Sequence, residues 1–185
     1  MTRSEKDRLL IERVKAGDNL AFKELIEKYK NDAFTLACSI VKNQRLAEDI
    51  LQEVFIHIFD KIKTFKYKSS FYTWLYRIVV NRCYNELRKR KYKCEEIVEI
   101  ASEKDEAASI ANTNDLKQII RTALVQMKPD EALVLRLFYL SELNIQEVME
   151  VTGFGKPKVK VTLHRGRKSL ADILKKQLGK EIEDI

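Results

Sequence analysis

At 185 residues the chain has room for one ordinary domain or two small ones. Five glycines and two prolines are too few to turn an all-β chain at short intervals, while 45% hydrophobic residues suffice for helical cores, so an all-α fold is expected. The formal charge of +7 says nothing about fold but favours acidic partners, nucleic acid among them.

The N-terminus is charged (Arg3, Glu5, Lys6, Asp7, Arg8), unlike a signal peptide. No apolar run approaches the roughly 18 residues of a membrane span, and a cytoplasmic, reduced protein is expected. A first helix is predicted from about Ser4 to Ala16, with Leu9, Leu10 and Val14 at helical spacing. Gly17 stops it and Asp18 caps a second helix carrying Leu20, Ala21, Leu25 and Ile26 toward Tyr29. A third follows with Phe34, Ala37, Cys38, Ile40 and Val41, broken at Asn43-Gln44.

The fourth helix, about Leu46 to Lys63, is the clearest amphipath. Leu51, Phe55, Ile58 and Ile62 form its apolar stripe, widened by Ile50, Val54 and Phe59, and Asp49, Gln52, Glu53, His57 and Asp60 occupy the other side. A polar loop from Thr64 to Ser70 precedes a fifth helix, Phe71 to about Arg90, capped by Ser69 or Ser70. Its aromatics (Phe71, Tyr72, Trp74, Tyr76, Tyr84) interleave with Arg77, Arg82 and Arg88. Thr73, Arg77, Asn81, Tyr84 and Arg88 lie near one face at steps of three or four. Duplex binding needs only charge, whereas unpaired bases are held on aromatic platforms, so the set points to melted DNA. Any one of these aromatics is, by itself, more often a core residue.

These elements bury one helical core, and a first domain is expected over 1–92. Residues 93–114 read as a flexible acidic linker (Glu95, Glu96, Glu99, Glu103, Asp105, Glu106). A second domain, 115–185, opens with a helix marked by Leu116, Ile119, Ile120, Ala123, Leu124 and Met127. Pro129 suits the first turn of the next helix, which runs through Leu133, Leu137 and Leu140. Asn144 with Glu147 forms a capping box for a short helix. Gly153-Phe154-Gly155 turns the chain into a basic helix from Lys156 to beyond Leu174. A short helix, a glycine turn and a basic helix make a helix-turn-helix, whose second helix enters the major groove.

Charge is unevenly placed. Between Arg77 and Lys93 seven cations face one acid, Glu86, and between Val151 and Ala171 six cations stand with no carboxylate. With Val159 and Leu163 inward, Lys160, Val161, His164, Arg165 and Lys168 project outward, and Lys156 and Lys158 sit at the helix start, where backbone and side chains both attract phosphate. A cationic run alone is usually a solvated face; coupled to the helix-turn-helix it reads as a DNA surface. Cys38, Cys83 and Cys94 are odd in number and far apart, so buried thiols are expected and neither zinc site nor disulfide. Two histidines, His57 and His164, have no metal-ligand spacing, and no nucleophile elbow or phosphate loop occurs, so no catalysis, metal, cofactor or small-molecule substrate is expected.

Three ordered motifs resemble one family. Ala47-Glu48-Asp49-Ile50-Leu51-Gln52-Glu53-Val54-Phe55 is similar to the AEDxxQExF signature of sigma-70 factors. Ser69-Ser70-Phe71-Tyr72-Thr73-Trp74-Leu75-Tyr76-Arg77-Ile78-Val79-Val80-Asn81 resembles their FxTWLYRIAxN melting segment, and Val159 to Arg167 their VKSRLHRAR recognition helix. The resemblance spans nearly the whole chain, whose length fits the two-domain extracytoplasmic-function group. It implies a factor that directs RNA polymerase to promoters, with core contacts at Asp49, Gln52 and Glu53 on the β′ clamp helices. It implies minus-ten contacts at Ser70, Phe71, Trp74, Arg77, Asn81 and Arg88, with the loop from Phe65 to Ser70 capturing a flipped base. Lys156, Lys158, Lys160, Val161, His164, Arg165 and Arg167 would serve the minus-35 element while the domain touches the β flap. Stress-linked regulation by an anti-sigma factor, in many members membrane-bound, is implied too. The chain departs from the pattern at Val161 and Thr162, where the family has Ser and Arg, at Met149 for a small Ala, and at the Phe154 to Pro157 turn. The alternatives are a free-standing helix-turn-helix regulator, which leaves the aromatic and acidic helices unexplained, and an adaptor that binds only proteins.

Overall fold

The computed structural model describes residues 3–96 and 116–183. Every regular element among them is helical, and the chain divides into two compact units, Met1–Asp105 and Glu106–Ile185.

In the first unit α1 (Arg3–Lys15) ends at Gly17, whose φ of +97° suits a residue without a Cβ. Asp18 caps α2 by accepting from the amides of Leu20 (2.9 Å) and Ala21 (3.1 Å), and Arg13 holds the same carboxylate at 2.7 Å.

α2 (Asn19–Val41) is one helix of 23 residues, where two were expected to meet after Tyr29. Ala21, Leu25, Tyr29, Ala33, Leu36, Ala37 and Ile40 stay in phase and are all buried. Asn31 and Asp32 are exposed; as poor helix formers they cost about 0.5–0.7 kcal/mol each. Burying Leu36 and Ile40 contributes about 1.5–3 kcal/mol apiece and wins. Lys42, at φ +58°, ends the helix, and Asn43 caps α3 (Gln44–Lys61) through the Leu46 amide at 2.9 Å.

A short 3-10 turn (Ile62–Thr64) and an irregular loop lead into α4 (Phe71–Glu96), which continues past the limit expected near Arg90. Most of the linker expected over 93–114, from residue 97 onward, lies outside the described residues. Tyr29, Leu36, Ile58, Leu75, Tyr76 and Cys83, all 2% exposed or less, form the core where α2, α3 and α4 meet. Three side chains of this unit expected in apolar stripes are solvated instead: Leu20 is 75%, Leu9 57% and Phe59 44% exposed, the last resting edge-on against Phe22. Asp7, 4% exposed, ties α1 to α2 by accepting from Lys28 at 2.5 Å and from the Tyr29 hydroxyl.

The second unit contains α5 (Leu116–Gln126), α6 (Pro129–Leu135) running into a wider π turn (Arg136–Leu140), α7 (Ile145–Thr152) and α8 (Lys156–Glu183). Pro129 stands in the first turn of α6. The capping box at α7 is reciprocal: Asn144 Oδ1 accepts from the Glu147 amide at 3.1 Å and Glu147 Oε2 from the Asn144 amide at 2.9 Å. Gly153, at φ +73°, closes α7 and reverses the chain into α8. α8 approaches α6 so closely that a Cβ on Gly166 would lie 3.1 Å from Leu135 Cγ. Leu133, Val134, Leu137, Val148, Val151, Val159 and Leu163 pack the core that orients α7 against α8.

Candidate nucleic-acid interface

Three exposed surfaces emerge from this packing, two on the first unit and one on the second. On α3, burial of Leu46, Ile50, Leu51, Val54 and Ile58 leaves Asp49, Gln52, Glu53, Ile56 and Asp60 exposed at steps of three and four. Glu53 Oε2 accepts from Arg82 of α4 at 2.6 and 3.0 Å, so one member of the acidic face is oriented by a neighbouring helix. Ile56, 64% exposed, places an apolar side chain within that face, which sequence periodicity did not single out.

The second surface is the outer side of α4 with the loop before it. Ser70 caps the helix: its Oγ accepts from the Thr73 amide at 3.0 Å and lies 2.8 Å from the Thr73 hydroxyl. Thr73 is consequently 1% exposed and does not join the outer face as its spacing suggested. The expected aromatic platform also divides. Phe71 (2% exposed), Tyr72 (7%) and Tyr76 (2%) are core residues, because positions 71, 72, 75, 76, 79, 80 and 83 share the side turned to α2 and α3. Phe71, expected against minus-ten DNA, packs among Tyr29, Phe65 and Trp74 and supports the loop from within. Trp74 and Tyr84 remain half-buried, and Arg77, Asn81 and Arg88 are exposed along one stripe.

Sequence reasoning also missed how the loop is held. Tyr67 takes a left-handed backbone (φ +55°) and donates its hydroxyl to Glu12 Oε1 at 2.5 Å, across 55 residues. Lys15 donates to the Phe65 carbonyl at 3.2 Å, and its Nζ lies 4.3 Å from the Tyr67 ring centre. Burial, then the Glu12 hydrogen bond, push the Tyr67 phenol well above its ordinary value; the same bond holds the Glu12 carboxyl below its own.

The third surface belongs to α8. Val159 and Leu163 face inward, and Val161 (47% exposed), His164, Arg165 and Lys168 form the outward stripe, flanked near the helix start by Lys156, Lys158 and Lys160. Two of the seven residues assigned to minus-35 DNA are engaged inside the unit. Lys158 pairs with Asp130 at 3.1 Å and lies over the Phe154 ring, and Arg167 donates to the Tyr139 hydroxyl at 2.6 Å. Arg167 sits on the flank of α8, beside an apolar groove of about 370 Å³ lined by Ile120, Leu124, Tyr139, Leu140 and Leu170. Thr162, at a position where an Arg is usual, is 8% exposed, so that departure falls on the packed side of the helix and not in its outward stripe. Met149 lines a shallow groove with Phe138, Asn144, Lys156 and Lys160. Among the described residues, no three His, Cys, Asp or Glu side chains gather as a metal site, and no helix is long and apolar enough to cross a membrane.

Two helical units, one with a helix-turn-helix and both with cationic outer faces, define a DNA-binding transcription factor of the all-α class. Residues 25–92 match the family model Sigma-70 region 2, and residues 117–170 match Sigma-70, region 4. The chain is 30% identical over 176 residues to the ECF RNA polymerase sigma factor SigW of Bacillus subtilis, covering 86% of this chain and 92% of that one. It is 28% identical over 182 residues to the ECF RNA polymerase sigma-E factor of Escherichia coli, covering 92% and 95%. The fold is similar to that of the sigma factor RpoE from Bartonella quintana, solved in complex with the anti-sigma factor NepR: the TM-score is 0.68 at 23% identity, over 83% of this chain and 96% of that one. The protein belongs to the extracytoplasmic-function group of the sigma-70 family of RNA polymerase sigma factors. As such it is a regulatory factor of transcription initiation that directs core polymerase to promoters.

Proposed function

We propose that the work of initiation is divided among the three surfaces. The region 1–92 acts as sigma domain 2, 93–114 as the linker and 115–185 as sigma domain 4. Asp49, Gln52 and Glu53 meet the β′ clamp helices of core polymerase, with Ile56 adding apolar area at the centre of the contact. Ser70, Trp74, Arg77, Asn81 and Arg88, with the loop from Phe65, hold the melted minus-ten strand, while Phe71 acts only through the packing of that loop. Lys156, Lys160, Val161, His164 and Arg165 take the minus-35 element; Lys158 and Arg167 keep their internal partners. The apolar groove beside Tyr139 and Leu140 suits the β flap.

The observation that carries this reading is the outward stripe of α8, in which Val161 and His164 stand among cations at the helix-turn-helix position that faces base edges. Val161 offers a thymine methyl an apolar contact where the family offers a hydroxyl. The factor carries out no catalytic step, works in the cytoplasm where polymerase is, and is restrained by an anti-sigma protein that covers the polymerase-binding surfaces; RpoE, similar in fold, was solved in complex with the anti-sigma factor NepR.

Run-off transcription with core polymerase and a genomic DNA library tests the assignment, the start sites giving both promoter elements. The factor should bind core enzyme at micromolar concentration and open promoters only with it. Failure to bind core sinks the reading. Duplex affinity of the isolated protein should fall with salt by a log–log slope of roughly −0.9 per phosphate neutralised; tight, specific duplex binding without polymerase would favour a free-standing regulator.

A further inference from the structure

The loop between Phe65 and Ser70 is not held by its own helices alone. Phe65 is 8% exposed, its ring 4.9 Å from that of Trp74, and Tyr67 follows with a left-handed backbone that a bulky side chain adopts only when its surroundings compel it. The compelling groups all come from α1. Glu12 accepts the Tyr67 hydroxyl at 2.5 Å, Lys15 binds the Phe65 carbonyl at 3.2 Å and sits over the Tyr67 ring, and the Arg8 guanidinium lies 5.5 Å from the same ring. α1 is itself fastened to α2 by Asp7 and by buried Leu10, Ile11 and Val14, so the anchor is a rigid one. With Phe65 and Tyr67 tied down, Lys66 and Lys68 are left exposed to either side.

We propose that Glu12 and Lys15 are positioning residues for promoter recognition: by clamping Tyr67 and Phe65 they preform the loop, and so set how strictly the factor discriminates among minus-ten sequences. The inference rests on the loop's assignment to the minus-ten element. Physically, a preformed loop presents its groups to a base without first being ordered, so a wrong base gains nothing from the loop's rearrangement. A loosened loop adapts to several bases, and discrimination falls even where binding persists. Neither Glu12 nor Lys15 needs to touch DNA for this to hold.

Full-length Glu12→Ala, Lys15→Met, Tyr67→Phe and Glu12→Ala/Tyr67→Phe variants, each reconstituted with core polymerase, should be assayed on a preferred promoter and on versions altered singly in the minus-ten or the minus-35 element. Each single variant is expected to lower the preferred-to-altered ratio for minus-ten changes by about fivefold, the low end of coupling between separate sites. The double variant should lose no more than either single, because one interaction has been removed. Affinity for core polymerase and minus-35 discrimination should stay as in the parent. A merely structural role would lower transcription equally on all templates, and that result, unchanged ratios, or additive losses each overturn the proposal. Lys68→Ala and Ser69→Ala, within the loop itself, separate the two levels. If these leave minus-ten discrimination intact, the loop's assignment fails and the clamp proposal with it. If they change it while the clamp variants do not, the clamp proposal alone fails.

Discussion

Asp7 is the residue whose loss is most informative about how α1 is attached. Its side chain is 6% exposed, and it accepts from Lys28 at 2.5 Å and from Tyr29, which is 0% exposed. Removing one member of a fully buried ion pair costs roughly 3–5 kcal/mol, because the other charge is stranded. Lys28 is not stranded: its side chain is already 31% exposed and its ammonium can return to water. What Asp7→Ala forfeits is the charge-assisted hydrogen bonding, about 1.5–3 kcal/mol, and a loss near 2 kcal/mol is expected. Asp7→Asn keeps an acceptor for the Tyr29 hydroxyl but not the charge, and should lose about half as much. The chain's one tryptophan, Trp74, lies in the first unit, so its emission in a urea titration follows that unit without interference from the second. With a urea dependence of about 1 kcal/mol per M for a domain of this size, the midpoint should fall by about 2 M in Asp7→Ala. A midpoint within a few tenths molar of the parent refutes the reasoning and makes the pair an incidental contact. A fall near 4 M means that Lys28 is desolvated in the folded chain after all.

Other outcomes are expected elsewhere. Glu53→Lys should weaken core-polymerase binding at least tenfold in a fluorescence titration, yet lower stability by less than about 1 kcal/mol, because its pair with Arg82 is solvated. Arg82→Ala shares the small stability effect but leaves the Glu53 carboxylate in place, so on the proposed assignment it should bind core more nearly as the parent does. His164→Ala should change the minus-35 base preferred, at about 1–3 kcal/mol for a lost base contact. Arg167→Ala, whose side chain is committed to Tyr139, should leave that preference alone; a shift in it returns Arg167 to the DNA surface. Burial, with Cys38 nearby, pushes the Cys83 thiol from 9.0 up to about 12. The unfolded chain then releases a proton that the folded chain keeps, so this group's contribution is intact below pH 9.0 and is lost as pH rises toward 12. Iodoacetamide at about pH 8 should accordingly spare Cys83 in the native protein and modify it in urea; rapid native labelling disproves the burial.

Much of the fold was legible because its punctuation is local. Asp18, Asn43, Ser70, Pro129, Asn144 and Gly153 start or stop helices through groups within three residues of themselves. One exception was α2, read as two helices: Asn31 and Asp32 are poor helix formers, yet the buried stripe on either side of them is in phase and keeps the helix whole. The acidic face of α3 and the outward stripe of α8 were legible for the same reason, since helical period alone separates them from the core. That Phe71 packs inward among Tyr29, Phe65 and Trp74 was not legible, because a helix that is apolar around most of its girth does not announce which arc its neighbours will cover. Lys158 and Arg167 passed as free cations until Asp130, Phe154 and Tyr139, carried by other segments, were seen against them.

By itself, then, the sequence determined the helices, the division into a basic helix-turn-helix and an earlier amphipathic bundle, and, through three ordered motifs, the family. Those properties depend on residue spacing along one chain and on caps that act at short range. Only the tertiary structure decided which aromatics are core and which face outward, which cations are already spent on internal partners, and that α1 reaches across 55 residues to hold the loop before α4. Such pairings are set by how whole helices pack, and no local period encodes them.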